Sequence, residues 1–165
     1  MTAPGAAKSP SVQPSHVGPA PPESPIFVDT NVFLYAIDEG DPKKQRAAQH
    51  WRAELWKTRR GRVSFQVLAE FYVNAVRKQS TAQNEARDEV RDLLAWNPVV
   101  IDAALLERGW EIQDRYQLSY WDALIVAAAQ AASCRYLLTE DLQGAQSLGG
   151  IEVVNPFLHE PESIL

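Results

Sequence analysis

Short runs of consecutive apolar residues alternate along this chain with longer stretches in which apolar residues recur every three or four positions. Runs of the first kind predict buried strands, at residues 26–28, 62–64, 99–101, 136–138 and 151–154. The periodic stretches predict helices, because apolar residues at that spacing share one helix face. The helices are expected at residues 30–36, 43–58, 66–78, 82–96, 103–116 and 121–132.

This alternation of strands and helices predicts the fold class α/β. Strands without polar alternation are buried on both faces, which requires a parallel sheet covered by helices on each side. The expected architecture is a single domain with a small parallel sheet flanked by helices on both faces. On the helix at residues 82–96, Val90, Leu93 and Leu94 are expected to face the core. No Gly-x-Gly-x-x-Gly turn follows the first strand, so a dinucleotide site is not expected.

Composition divides the 165 residues into three parts. Residues 1–25 contain seven prolines with alanine, serine and glycine between them. Such a segment buries too little apolar area to offset the entropy of ordering, so we expect a disordered tail. Residues 26–158 are expected to form the folded domain, and residues 159–165 a C-terminal tail.

Charge and cysteine content exclude several classes of protein. The net charge of -5 argues against a protein that coats nucleic acid, but it is compatible with a nuclease whose site contains acids. A single cysteine, Cys134, allows neither an intrachain disulfide nor a cysteine zinc cluster. No apolar run approaches the ~18 residues that span a membrane. We therefore expect a cytoplasmic protein with no membrane partner.

Four carboxylates lie in separate segments, each beside a short apolar run: Asp29, Glu70, Asp122 and Asp141. In a parallel sheet, ligands bind beyond the carboxyl ends of the strands, and all four acids are expected at that edge. At ~4 Å each pair of acids repels by about 4 kcal/mol with an effective dielectric near 20. A hard divalent cation removes this repulsion, and all-oxygen ligands suit magnesium or manganese. The residues therefore predict a metal-dependent phosphodiesterase.

Each acid also has a purely structural alternative. Asp29 is placed to cap the helix that follows it, and Asp122 fits a capping box with Ser119. Asp141 is placed to stabilise the turn after its strand, and Glu70 to lie on a helix face. Their expected arrival at one edge of one sheet favours a shared site.

The sequence around these acids resembles PIN-domain ribonucleases of the VapC toxin type, which belong to type II toxin–antitoxin systems. The resemblance covers residues 26–158 and rests on five blocks in the family's order. The blocks are FVDTNV (27–32), VLAEFY (67–72), SYWDALIVAAA (119–129), LLTEDLQ (137–143) and IEVVNPF (151–157). The proline-rich start departs from the family, which usually begins close to the first strand.

The resemblance implies a magnesium-dependent endoribonuclease that hydrolyses RNA phosphodiester bonds. Asp29 and Asp122 would be the main metal ligands, while Glu70 and Asp141 would complete the acidic cluster. Glu140, next to Asp141, is expected to point to solvent. Three polar residues would support these acids by hydrogen bonds: Thr30, Asn31 and Thr139.

The resemblance also implies protein partners. A cognate antitoxin would hold the enzyme inactive by placing its C-terminal segment in a groove. Tyr35, Trp51 and Leu55, on the first two helices, are candidates to line this groove, and core packing is the alternative for all three. Homodimerisation is implied as well. Two other functions stay open: a catalytically silent PIN-like interaction module, and a structure-specific DNA nuclease on the same fold.

Overall fold

A computed structural model describes residues 24–142 and 147–165. Most of the predicted N-terminal tail, residues 1–23, lies outside the described residues. Within the described part, six α-helices and five strands follow in the order β1 (Ile26–Val28), α1 (Thr30–Ile37), α2 (Pro42–Thr58), β2 (Gly61–Arg62), α3 (Phe65–Lys78), α4 (Gln83–Leu93), α5 (Ala103–Tyr116), α6 (Tyr120–Ala131), β3 (Tyr136–Leu138), β4 (Ser147–Leu148) and β5 (Ile151–Val154). Short 3-10 helices follow α4 (Leu94–Trp96) and β5 (Pro161–Ser163).

The five strands form one sheet in the order β2-β1-β3-β5-β4. Strand β1 pairs in parallel with β2 and β3, and β3 pairs in parallel with β5. Helices cover both faces, so the predicted α/β class is confirmed. Strand β4 was not predicted; it pairs antiparallel to β5 through a turn at Gly149 and Gly150, both with positive φ. Two residues are too few to produce an apolar pattern of their own.

The predicted strand at residues 99–101 does not form. Val99 makes one isolated bridge with Ser64, while Val100 and Ile101 are exposed. Directly afterwards Asp102 caps α5, where its carboxylate accepts a hydrogen bond from the amide of Leu105 at 2.9 Å. The chain therefore leaves the sheet edge after a single residue, because the following helix already begins at residue 103.

Leu94 is exposed, contrary to the prediction, whereas Leu93 is buried. The α-helical pattern ends at Leu93, and the tighter 3-10 turn that follows changes the face on which the next side chains lie. Trp96 becomes the buried residue of this turn. Its ring lies against Gly61, where an added Cβ would come within 2.5 Å of ring carbons, so the packing requires glycine.

Two of the three residues proposed for an antitoxin groove belong to the core. Trp51 and Leu55 are 0% exposed, and the Trp51 indole nitrogen donates to the carbonyl oxygens of Pro156 and His159 at 3.0 and 3.1 Å. Tyr35 is half-buried and packs edge-on against another ring. The face formed by Trp51 and Leu55 is therefore not available to a partner.

Both ends of the described chain contact the domain. The side chain of Arg60 donates to the carbonyl oxygens of Ser24 at 3.0 Å and Ile164 at 3.4 Å. The amide of Arg135 donates to the carbonyl of Pro25 at 3.2 Å. Packing thus begins two residues before the predicted domain start, and the predicted C-terminal tail lies against the domain. None of the described helices is long and apolar enough to cross a membrane.

Candidate active site

Asp29 follows β1 directly and is the N-cap of α1. One carboxylate oxygen, Oδ1, accepts the amide N–H of Thr30 at 2.7 Å, and Oδ2 accepts the hydroxyl of Thr139 at 2.8 Å. The residue is only 7% exposed. Since β1 and β3 are adjacent parallel strands, Thr139 reaches Asp29 from the same sheet edge. The capping role is therefore present, but it uses only one of the two oxygens.

Burial raises the pKa of Asp29 from 3.8 to about 7. Hydrogen bonds from Thr139 and Thr30 lower this pKa, while the charges of Asp141 and Glu70 raise it. Within the described residues no lysine, arginine or histidine forms an ion pair with Asp29. A divalent cation bound beside this carboxylate and the two other acids would favour its charged form.

Glu70 lies on α3 and is held at both carboxylate oxygens. Oε2 accepts the hydroxyl of Thr30 at 3.0 Å, and Oε1 accepts the side-chain amide of Gln66 at 3.0 Å. The same amide lies 3.4 Å from the carbonyl oxygen of Trp121 on α6. Gln66 was not predicted, although its position four residues before Glu70 places both on one face of α3. Glu70 is thus tied to α1 and, through Gln66, to α6.

Asn31 connects Asp141 to the rest of the site. Its side-chain amide nitrogen donates to Asp141 Oδ2 and to Thr139 Oγ1, both at 3.0 Å. The backbone N–H of Asp141 also donates to Thr139 Oγ1, at 3.1 Å. Asn31 Oδ1 is buried and has no hydrogen-bond donor within the described residues. A buried acceptor of this kind, in a cluster whose potential metal-ligand atoms are all oxygen, fits a site that takes a hydrated cation.

Asp122 lies in the first turn of α6 and interacts with Ser119, the N-cap residue. The Ser119 hydroxyl donates to Asp122 Oδ2 at 2.8 Å and accepts the Asp122 amide at 3.1 Å. This is the helix-start role that the sequence left open. Within the described residues no hydrogen bond joins Asp122 to the other three acids. The contact of Gln66 with both Glu70 and the residue before Asp122 brings the start of α6 beside Glu70.

Glu140 does not point to solvent, as had been expected. Its Oε2 lies 2.6 Å from Lys44 Nζ on α2, and its side chain is 21% exposed. Lys44 also donates to the Tyr35 hydroxyl at 3.1 Å, and the hydrogen bond with Glu140 raises the pKa of Lys44. The expectation was wrong because an ion pair with a helix remote in sequence holds Glu140, and local patterns carry no sign of it.

A second group of ligand-type side chains lies on α2 and near the C-terminus. In the described parts of the chain, His50, Glu160 and Glu162 are the only three such residues whose ligand atoms lie within 4.8 Å of one another. The two acids flank the imidazole at 3.4 and 3.2 Å, and all three side chains are largely open to solvent. No three of the four predicted acids have carboxylate oxygens that all lie within 4.8 Å of one another.

Comparison with known proteins places the fold. The chain resembles a toxin–antitoxin complex from Klebsiella pneumoniae, with 23% identity and a TM-score of 0.56, over 83% of this chain and 99% of that one. It resembles VapC20 of Mycobacterium tuberculosis, a sarcin–ricin-loop-cleaving toxin, with 23% identity and a TM-score of 0.54, over 68% of this chain and 86% of that one. It also resembles VapBC2 of Rickettsia felis bound to a fragment of promoter DNA, with 16% identity and a TM-score of 0.52, over 79% of this chain and 97% of that one. At these identities the likeness shows the fold.

Sequence comparison is decisive for the family. No curated protein matches the chain. The family model of the PIN domain matches residues 26–146, which include all four acids and most of the described elements. This match covers more than half of the 165 residues. The chain belongs to the PIN domain family.

Proposed function

We propose that this protein is a magnesium-dependent endoribonuclease and the toxin of a type II toxin–antitoxin module. The observation that carries the proposal is the state of Asp29. It is buried at the carboxyl end of β1, its pKa is raised to about 7, and among the described residues two further acids act on it while no basic side chain pairs with it. A neutral side chain would supply the helix cap and hydrogen bonds of this position equally well, so an acid placed here beside other acids points to a cation ligand.

Asp29 and Asp122 would be the main metal ligands, with Glu70 and Asp141 completing the cluster. The donor set is entirely oxygen, which suits Mg²⁺ and also accepts Mn²⁺. The chemistry that such a cation supplies when bound is activation of a water nucleophile and neutralisation of charge on the leaving oxygen. The expected products carry a 5′-phosphate and a 3′-hydroxyl, so the ribose 2′-hydroxyl is not the nucleophile.

The polar residues around the acids would hold them in place for this reaction. Thr139 donates to Asp29, Thr30 donates to Glu70, and Asn31 donates to Asp141. Each bond leaves other lone pairs of the same carboxylate open to a cation, and it limits the positions that the carboxylate adopts. Thr30, Asn31 and Thr139 are thus proposed as positioning residues, and Thr139 contacts both Asp29 and Asp141.

The partners follow from the structures that the chain resembles. Two of them are toxin–antitoxin assemblies, and VapC20 is a toxin that cleaves the sarcin–ricin loop. These likenesses support an RNA substrate and a cognate antitoxin. Homodimerisation, which the family resemblance implies, and a cytoplasmic location are proposed as well. The antitoxin would not bind through Trp51 and Leu55, which are buried.

The test is cleavage of a mixture of transfer and ribosomal RNA by the purified chain with Mg²⁺, with Mn²⁺ and with EDTA. Asp122→Asn is assayed beside the wild type to exclude a contaminating nuclease. Asp102→Asn is the matched control, because it makes the same change at a helix cap on α5, and asparagine caps helices as well as aspartate does.

Metal-dependent cleavage by the wild type and the control, absent from Asp122→Asn, is the expected result. Equal background in all lanes, together with no binding of Mn²⁺, would favour the catalytically silent interaction module. Cleavage of branched or flapped DNA in preference to RNA would favour the structure-specific DNA nuclease.

A further inference from the structure

Trp121 is a large aromatic residue on the surface at the start of α6. It is 60% exposed and immediately precedes Asp122. The ring of Tyr120 packs against it in a T-shaped arrangement, with centroids 5.5 Å apart and an interplanar angle of 62°. This single aromatic contact leaves most of the indole open to solvent. An exposed indole is a large flat apolar surface with a polar N–H, the kind of side chain that is enriched at binding interfaces.

Gln66 links the backbone of Trp121 to the acids. The Gln66 side-chain amide lies 3.4 Å from the Trp121 carbonyl oxygen and 3.0 Å from a carboxylate oxygen of Glu70. One side chain therefore links the backbone that carries the exposed indole to the acidic cluster. Trp110 on α5 is also exposed, at 45%, but no contact of this kind connects it to the acids within the described residues.

Electrostatics decides which ligand suits this position. The chain has a net charge of -5, and the site itself contains acids, so beyond the proposed cation the protein offers the phosphate backbone of an approaching strand little attraction there. Lys44, the lysine beside Glu140, is already engaged in an ion pair. Stacking of a nucleobase on an aromatic ring needs no positive charge and works for every base. It also requires an unpaired base, because bases within a duplex are already stacked.

We propose that Trp121 is a stacking platform for an unpaired nucleobase of single-stranded RNA next to the scissile phosphate. This inference rests on the proposed endoribonuclease function and names the form of its substrate. The platform holds the strand by a base and the acids act on the neighbouring phosphate, so affinity and chemistry are divided between adjacent residues of α6. A single-stranded loop satisfies this requirement, and a continuous duplex does not.

The test measures the affinity of the full chain for a labelled RNA pool of about 12 nucleotides with randomised sequence, by fluorescence anisotropy. Ca²⁺ replaces Mg²⁺ so that a cation is present while cleavage is suppressed. A pool of the same length without bases measures the contribution of the sugar–phosphate backbone alone. The variants are Trp121→Ala, Trp121→Phe and, as the matched control, Trp110→Ala.

We expect Trp121→Ala to weaken binding of the RNA pool by about 5- to 150-fold, the loss typical of one stacked base. Trp121→Phe is expected to keep most of the affinity, and Trp110→Ala all of it. The pool without bases is expected to bind the wild type and Trp121→Ala equally weakly. In cleavage assays Trp121→Ala is expected to raise KM more than it lowers kcat.

Wild-type affinity in Trp121→Ala, or equal affinity of the wild type for both pools, would overturn the platform. Cleavage by Trp121→Ala with an unchanged KM would overturn it while leaving the nuclease function intact. Base-dependent binding that Trp121→Ala removes, without cleavage of any RNA by the wild type, would support the platform and overturn the nuclease function instead. Unchanged RNA binding with an altered oligomeric state would assign the indole to a contact between protein chains.

Discussion

The hydroxyl of Thr139 donates a hydrogen bond of 2.8 Å to Asp29 Oδ2, and the two residues follow adjacent parallel strands. The same hydroxyl oxygen accepts the side-chain amide of Asn31 and the backbone N–H of Asp141, at 3.0 and 3.1 Å. One buried oxygen thus organises two of the four acids. Because this bond lowers the pKa of Asp29, it favours the charged form that a cation requires.

Thr139→Val keeps the shape of the side chain and removes the hydroxyl. Two donors then lose their acceptor, and we expect a loss of about 1–3 kcal/mol in the free energy of unfolding. The pKa of Asp29 should rise further, so Mn²⁺ affinity at neutral pH should fall, as measured by titration calorimetry. Thr139→Ser, which keeps the hydroxyl, is expected to retain most of the affinity. Equal Mn²⁺ affinity in Thr139→Val and wild type would show that the hydroxyl does not tune Asp29.

Asp29 should make metal-free stability depend on pH. Its pKa is about 7 in the folded chain and 3.8 ordinarily, so between these values the folded chain keeps a proton that the unfolded chain has lost. Folding stability contributed by this group therefore falls as pH rises through that window. Asp29→Asn does not titrate, and in EDTA it should be more stable than wild type by about 1–3 kcal/mol above pH ~7.

Urea unfolding of both proteins across the window measures this difference. The gap between Asp29→Asn and wild type should narrow toward pH ~4 and close below it, where the wild-type carboxyl becomes protonated in the unfolded state as well. Adding Mg²⁺ at high pH should raise the melting temperature of the wild type and not that of the variant. A gap that is constant with pH would mean that Asp29 is charged in the fold without penalty.

Glu140 and Asp141 are neighbours with different expected roles. Glu140 is paired with Lys44, whereas Asp141 interacts with Asn31 inside the acidic cluster. Glu140→Gln should therefore change stability by about 1 kcal/mol and leave Mn²⁺ affinity unchanged. Asp141→Asn removes a charge from the cluster and should weaken Mn²⁺ binding clearly. A weaker Mn²⁺ affinity in Glu140→Gln than in Asp141→Asn, measured by calorimetry, would assign the metal-binding role to Glu140.

Removal of residues 1–23 should leave the melting temperature and activity unchanged. Removal of residues 1–25 is a second truncation that tests more, because it deletes two hydrogen-bond acceptors. These are the carbonyl oxygens of Ser24 and Pro25, which accept from Arg60 and Arg135. Arg60 is buried, so loss of an acceptor and arrival of a charged amino terminus should lower the melting temperature. Equal melting curves for the two truncations would contradict this, and a loss in the shorter truncation would show that the tail docks.

Those parts of the fold with strong local patterns were predictable from the sequence. Strands β1, β3 and β5 are short apolar runs whose predicted bounds match the structure. The sequence placed Asp29 and Asp141 after predicted parallel strands and so at one edge of the sheet, but it did not predict that β1 and β3 are neighbours, which brings Thr139 to Asp29. The predicted metal-binding roles of the four acids stay predictions.

The features that the sequence did not reveal depend on contacts between distant segments. The ion pair of Lys44 with Glu140 joins residues on α2 and after β3. Gln66 contacts both Glu70 and the backbone of α6. Leu94 turns outward only because α4 ends in a 3-10 turn that buries Trp96. Hydrophobic periodicity reports the face of one element at a time, so it carries no information about such pairings.

The most direct test of the metal centre is an anomalous-difference map from crystals of the full chain soaked in Mn²⁺. We expect a peak within coordinating distance of Asp29 and Asp122, and we expect this peak to be absent from Asp29→Asn crystals soaked in the same way. A peak found only at the exposed group of His50, Glu160 and Glu162, or one that touches neither Asp29 nor Asp122, would contradict the four-carboxylate site.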